Sequence, residues 1–157
     1  MKQRLRLWGS LLLLLVCAVF VSWFMLQRPV SVKYDEATQG AYLRGYYFGL
    51  EVADTPEERA KGLSGRDHID YRQGMLFIFD SPGRSCFWMK DTLVPLDMLW
   101  FDNDYRLVHQ ELSVTPDTYP QTFCPQVDAR YVVELRGGMA KFHGLQLGDE
   151  LTLQTKQ

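Results

Sequence analysis

The side chains able to do chemistry are few, and they lie beside apolar runs. Phe87-Trp88-Met89 is followed at once by Lys90 and Asp91, and Pro95-Leu96 by Asp97. Arg59 and Arg66 stand on either side of Gly62 and Gly65, and Glu134 interrupts Val132-Val133 and Leu135. A charge at the end of an apolar run marks either the edge of a core or the floor of a site. Brought together, Arg59, Arg66, Lys90 and Asp97 would form a polar floor with Trp88 as a wall. Such a floor suits a small ligand bearing a carboxylate or phosphate, because guanidinium forks bind those groups bidentately. The structural reading of the same residues has Lys90 pairing with Asp97 across a hairpin, within reach of Arg59. Arg59 would then staple a short helix through loop carbonyls. Pairing is the commoner fate of buried charge, so this reading leads.

Catalytic templates are absent. There is no G-x-S-x-G, no H-E-x-x-H and no phosphate-cradling Gly-Lys loop. Asp97 with Glu134 would make a two-carboxylate hydrolase or transferase, but no spacing fixes their separation. His68, His109 and His143 are too scattered for ligand spacing, so neither metal nor cofactor is expected. Cys86 and Cys124 do not form C-x-x-C, which leaves a thioredoxin-like site unsupported. They would either pair, if the domain is exported to an oxidising compartment, or stand as two buried thiols. Cys17 lies in an apolar segment and reads as an inert small residue.

That segment decides the compartment. Leu7 to Gln27 is 21 residues without a charge, preceded by Lys2, Arg4 and Arg6 and followed by Arg28. A helix of this length spans a hydrocarbon core of about 30 Å. Trp8 and Trp23 fall near its ends, where amphipathic rings favour the interface. The rival is a cleaved signal peptide. Its exit, Ser22-Trp23-Phe24-Met25-Leu26, is bulky and lacks a small-residue cleavage site. The expectation is an anchor over residues 1–28, a stalk over 29–44 and an exported domain over 45–157, outside the inner membrane. Residues 31–157 carry 13 Lys+Arg against 19 Asp+Glu, a net of -6. Nucleic-acid binding rests on positive surface, so that partner class is excluded.

The remaining pattern predicts the elements that must position these side chains. Tyr46–Val52 reads as a strand. Thr55-Pro56-Glu57-Glu58 is a capping box with proline at the first helical position, and Gly62 stops the helix early. Met75–Phe79 and Cys86–Met89 are short apolar runs that suit buried strands. Leu96–Phe101 and Tyr105–Leu112 flank Asp102-Asn103-Asp104, hairpin chemistry. Thr115–Pro125 is a long loop, Tyr131–Leu135 a strand, Met139–His143 a helical turn and Glu150–Leu153 the last strand. About seven strands and two short helices predict a mainly β, small antiparallel barrel-like domain.

Here the residues resemble a family. Ala53-Asp54-Thr55-Pro56-Glu57-Glu58-Arg59-Ala60-Lys61-Gly62-Leu63, Arg66, Gly74-Met75-Leu76-Phe77, Phe87-Trp88-Met89-Lys90-Asp91-Thr92, Pro95-Leu96-Asp97, Tyr131-Val132-Val133-Glu134-Leu135, Gly138 and Gly148-Asp149 look like domain of unknown function 192. The resemblance covers roughly Tyr46 to Leu153. It implies a small, often exported, mainly-β domain and carries no activity with it. Asp91 stands where the family more often has asparagine, and Ser64-Gly65 replaces a bulkier pair. Three readings follow: a non-catalytic module for a small anionic ligand or envelope partner, a hydrolase or transferase using Asp97 or Glu134, and a structural subunit of an envelope assembly.

Overall fold

The structure, a computed structural model, describes residues 38–154. The expected anchor and most of the stalk lie outside the described residues. Among those described, no helix is long and apolar enough to cross a membrane.

Nine strands form among the described residues, two more than the apolar runs suggested. In chain order they are β1 (Thr38–Leu43), β2 (Tyr46–Ala53), β3 (Gln73–Gly83), β4 (Phe87–Trp88), β5 (Leu96–Phe101), β6 (Leu107–Val114), β7 (Thr122–Phe123), β8 (Ala129–Arg136) and β9 (Leu151–Leu153). Two short helices accompany them, α1 (Pro56–Lys61) and α2 (Met139–Phe142). The main sheet runs β6-β5-β8-β3-β2-β1-β9, and β4 pairs with β7 in a separate two-stranded sheet. The main sheet curls as a half-barrel whose edges meet at one end. There Leu107 N donates to Asp149 O and Leu151 N to Tyr105 O, both at 2.8 Å.

Three expectations change. Residues 38–43, read as stalk, form β1, paired with β2 from Thr38↔Glu51 to Leu43↔Tyr46. The sheet is mixed rather than antiparallel: β2 and β3 run parallel, with Glu51 opposite Met75. Residues 54–72 make the return crossing that a parallel pair needs, and α1 lies within it. The long loop over Thr115–Pro125 contains a helical turn, Pro116–Thr118, and β7.

Side chains alternate between two cores, one on each face of the sheet. Leu76, Leu99, Phe101, Val133 and Leu135 join Leu43, Phe48, Ala140 and Leu151 in the first. Met75, Phe77, Met98, Trp100 and Val132 join Leu63, Ile69 and Met89 in the second. Loops and the β4–β7 ribbon cover this second face, and the cavity described next opens there.

Candidate functional site

Local chemistry sets α1 in place. Thr55 Oγ1 accepts from Glu58 N at 3.2 Å, and the Glu58 carboxylate accepts from Thr55 N at 3.1 Å, completing the capping box. These backbone hydrogen bonds lower the Glu58 pKa. Arg59 Nη1 donates to Asp54 O and, at 2.9 Å, to Ile78 O. Its guanidinium lies over the Phe79 ring, 5.2 Å from the centroid. Arg59 thus staples the helix through carbonyls, as the structural reading held.

The opposite side of the cavity is the β4 segment. Phe87 points at the sheet and meets Phe77 edge-on at 4.8 Å and Trp100 at 5.7 Å. Trp100 Nε1 donates to Ser85 O at 3.0 Å. Trp88 alternates outward and is half exposed. The ribbon itself has only two residue pairs, Phe87↔Phe123 and Trp88↔Thr122. A Cys86–Cys124 disulfide closes it, with Cα atoms 4.2 Å apart. Two further bonds clamp the loop after α1 to the Lys90 loop: Ser64 Oγ to Lys90 O at 3.0 Å and Gly65 N to Asp91 O at 2.7 Å. Asp91 adopts φ 54°, left-handed backbone that asparagine also tolerates.

Between these walls lies a cavity of about 450 Å³. Arg59 and Lys61 of α1 line it, with Phe77, Phe79, Phe87, Trp88, Lys90 and Glu134. Lys90 forms no ion pair among the described residues, and its ammonium stands 6.0 Å from the Trp88 ring centroid. Glu134 is 4% exposed. On β8 it sits in register between Met75 of β3 and Met98 of β5. The close approach of β3 requires a glycine, because a Cβ on Gly74 would fall 2.2 Å from Glu134 O. No described residue hydrogen-bonds the Glu134 carboxyl, and burial alone pushes its pKa up to about 8. At neutral pH it is a carboxylic acid. The cavity therefore presents three cations and no ionised acid.

Of the five proposed ligand residues, Arg59, Trp88 and Lys90 meet here. Asp97 and Arg66 do not. Asp97 faces the other side of the sheet, because it pairs with Leu135 while its neighbour Met98 pairs with Glu134. Its carboxylate is fully buried and accepts from Ser113 N at 2.7 Å, Gly138 N at 3.0 Å and Ala140 N at 2.7 Å. Three amides satisfy it, so the expected ion pair with Lys90 or Arg59 does not form. The same one-residue offset rules out a shared cleft for Asp97 and Glu134. Arg66 is engaged by Glu51 in a fork, Nη1–Oε1 at 2.5 Å and Nη2–Oε2 at 2.6 Å. That contact lowers the Glu51 pKa and raises that of Arg66. Lys61 was not among the proposed residues. It is the last residue of α1, immediately before the Gly62 stop and two residues from Arg59, a basic pair at the helix end that could have revealed it.

The histidines stay apart. His68 meets Asp70 at 3.0 Å, His109 meets Glu111 at 3.2 Å, and His143 packs on Tyr46 and Phe48, where burial lowers its pKa. Among the described residues no group of three His, Cys, Asp or Glu is placed to hold a metal ion.

Solved structures share this architecture. A Sinorhizobium meliloti protein described as a candidate transcription regulator matches at TM-score 0.71 and 29% identity, over 78% of this chain and 97% of its own. A Novosphingobium aromaticivorans protein of unknown function matches at TM-score 0.67 and 27% identity, over 80% of this chain and 89% of its own. No curated protein matches the chain. The profile of DUF192, described as an uncharacterized ACR, matches residues 41–153. That span holds the capping box, the cavity walls and Glu134, and the chain belongs to the DUF192 family.

Proposed function

We propose that the domain is a non-catalytic module, anchored to the inner membrane and exported, whose cavity binds a small anionic ligand. One observation carries the ligand class. Arg59, Lys61 and Lys90 line the cavity, and the sole lining acid, Glu134, is neutral at pH 7. An anion entering meets attraction with no ionised carboxylate among the lining side chains. The aromatic walls supply apolar contact for the ligand body.

A catalytic reading draws support from Glu134, because an acid held neutral near pH 7 suits proton donation. It lacks an activated nucleophile. The lining hydroxyls of Ser64 and Thr92 both donate to Lys90 O, and although Ser85 also lines the cavity, no histidine does, so no imidazole base stands beside a lining hydroxyl. The regulator description of the Sinorhizobium relative is not adopted, since the acidic balance of residues 31–157 opposes nucleic acid. Export draws on the basic N-terminus, the uncharged run and a disulfide suited to an oxidising compartment.

Thermal-shift measurements on the full chain test the anion site. Inorganic phosphate, sugar phosphates and small carboxylates at saturation should raise the melting temperature by several degrees, whereas neutral sugars and ammonium ions should not. Lys90→Met should melt like wild type without ligand, having lost no ion pair, and should lose the shift. A panel without any anion response, or a shift that survives Lys90→Met, overturns the proposal.

A further inference from the structure

The cavity has a direction. Leu63, Phe77 and Glu134 form its buried inner wall, each under a tenth exposed. Lys61, Trp88 and Lys90 stand exposed at its mouth, with Arg59 half-buried beside them. A buried carboxyl without a hydrogen-bond partner is costly, and Glu134 has one open direction, into the cavity. Two methionines flank it in the sheet, Met75 and Met98, and neither supplies a strong donor or acceptor.

Resting on the anion-site reading, we infer that Glu134 is the specificity-determining residue of the cavity, its buried, unpartnered carboxyl hydrogen-bonding an uncharged oxygen at the inner end of a monoanionic ligand whose charged group stays at the mouth with Arg59, Lys61 and Lys90. The ligand class is thus a small hydroxylated acid with an apolar body. The surroundings that keep Glu134 protonated would equally penalise a ligand charge placed beside it. A carboxylic acid both donates and accepts, which matches a hydroxyl. Phe77 and Phe87 line the cavity and supply apolar contact for the body of such a ligand. Ligands lacking the inner oxygen leave the carboxyl unpaired, and a site built around a hydrogen bond rejects such analogues strongly.

Other charges around Glu134 are accounted for. Arg59 and Lys61 come from α1 and Lys90 from the segment after β4. Along the same cross-strand row, Glu51 on β2 is held by Arg66 and also feels the charge of Lys61, and Glu111 on β6 lies against His109. Ionising Glu134 would add the first negative charge among the cavity-lining side chains, so anion affinity falls as pH rises.

Isothermal titration of the full chain with 4-hydroxyphenylacetate and phenylacetate, at pH 7 and pH 9, tests this. Wild type should bind the hydroxylated acid at least about tenfold more tightly at pH 7. Its affinity should drop about tenfold by pH 9, as expected for a group titrating near 8. Glu134→Gln retains a donor and should bind equally at both pH values. If the two acids bind alike, or if Glu134→Gln keeps the wild-type pH dependence, Glu134 is not the determinant while the anion site stands. Binding of inorganic phosphate without either acid overturns the ligand class. If neither acid nor phosphate binds at either pH, the anion site falls and this inference falls with it.

Discussion

Glu134 and Asp97 show how one residue of offset decides the fate of a buried carboxyl. Asp97 meets two amides at the turn into α2 and a third near the end of β6, whereas Glu134 meets two methionines and a cavity. Glu134 titrates near 4.5 in an unfolded chain and near 8 in the native one. Between those values the unfolded chain has released its proton and the native chain has not. Stability should therefore decline as pH rises through that window, by on the order of 5 kcal/mol. Denaturant titrations from pH 4.5 to 8.5 should show this decline in wild type and its absence in Glu134→Gln; parallel curves would refute the neutral acid. Asp97→Ala strands three N–H groups, one buried and two part-buried, and should cost about 3–5 kcal/mol. Lys90→Met should stay within about 0.5 kcal/mol of wild type. Sharing no partner, the two changes should add within about 0.5 kcal/mol in a double-mutant cycle. A larger coupling would restore the ion pair that the sheet register denies.

At the scale of elements, the cavity depends on two small pieces held to the sheet by few contacts. The β4–β7 ribbon has two residue pairs, an inward Phe87 and the disulfide, which closes a separation of 38 residues. A loop of that length gives roughly 2–4 kcal/mol. Replacing either cysteine should lower stability by this amount and weaken ligand binding further, because Trp88 and Lys90 lose their fixed partner strand. Two thiols that react freely in the non-reduced native protein would contradict the bond. Helix α1 depends on its cap. Thr55→Ala should cost about 1 kcal/mol in denaturant unfolding and loosen Arg59 from Ile78 O. Unchanged stability would mean that packing, not the cap, holds α1.

For the molecule as a whole, the proposed location sets the chemistry. An exported domain on an uncleaved helix would keep the disulfide oxidised and open the cavity to solutes outside the cytoplasm. Mass spectrometry of the native protein should find a peptide beginning near Met1. A mature start between residues 20 and 35 would make the segment a removed signal instead.

Much of the fold was legible in the sequence because its cues are local. The capping box over Thr55–Glu58 carries its own hydrogen bonds, and Gly62 stops the helix wherever it packs. Apolar runs, strand-forming residues and turn residues located β2, β3, β5, β6 and β8 to within a few residues. Phe87-Trp88-Met89-Lys90 identified the segment that walls the cavity, and Arg59, Trp88 and Lys90 all line it. What the chain could not disclose was pairing across the sheet. Strand register turns on a single residue, and it sent Asp97 and Glu134 to opposite faces. The parallel β2–β3 pair likewise depends on where residues 54–72 cross, a long-range matter without a local signal. Neither pattern nor composition separates a carboxyl capped by amides from one left facing a cavity. Only the tertiary structure made that distinction, because solvation and hydrogen bonding are set by neighbours remote in sequence.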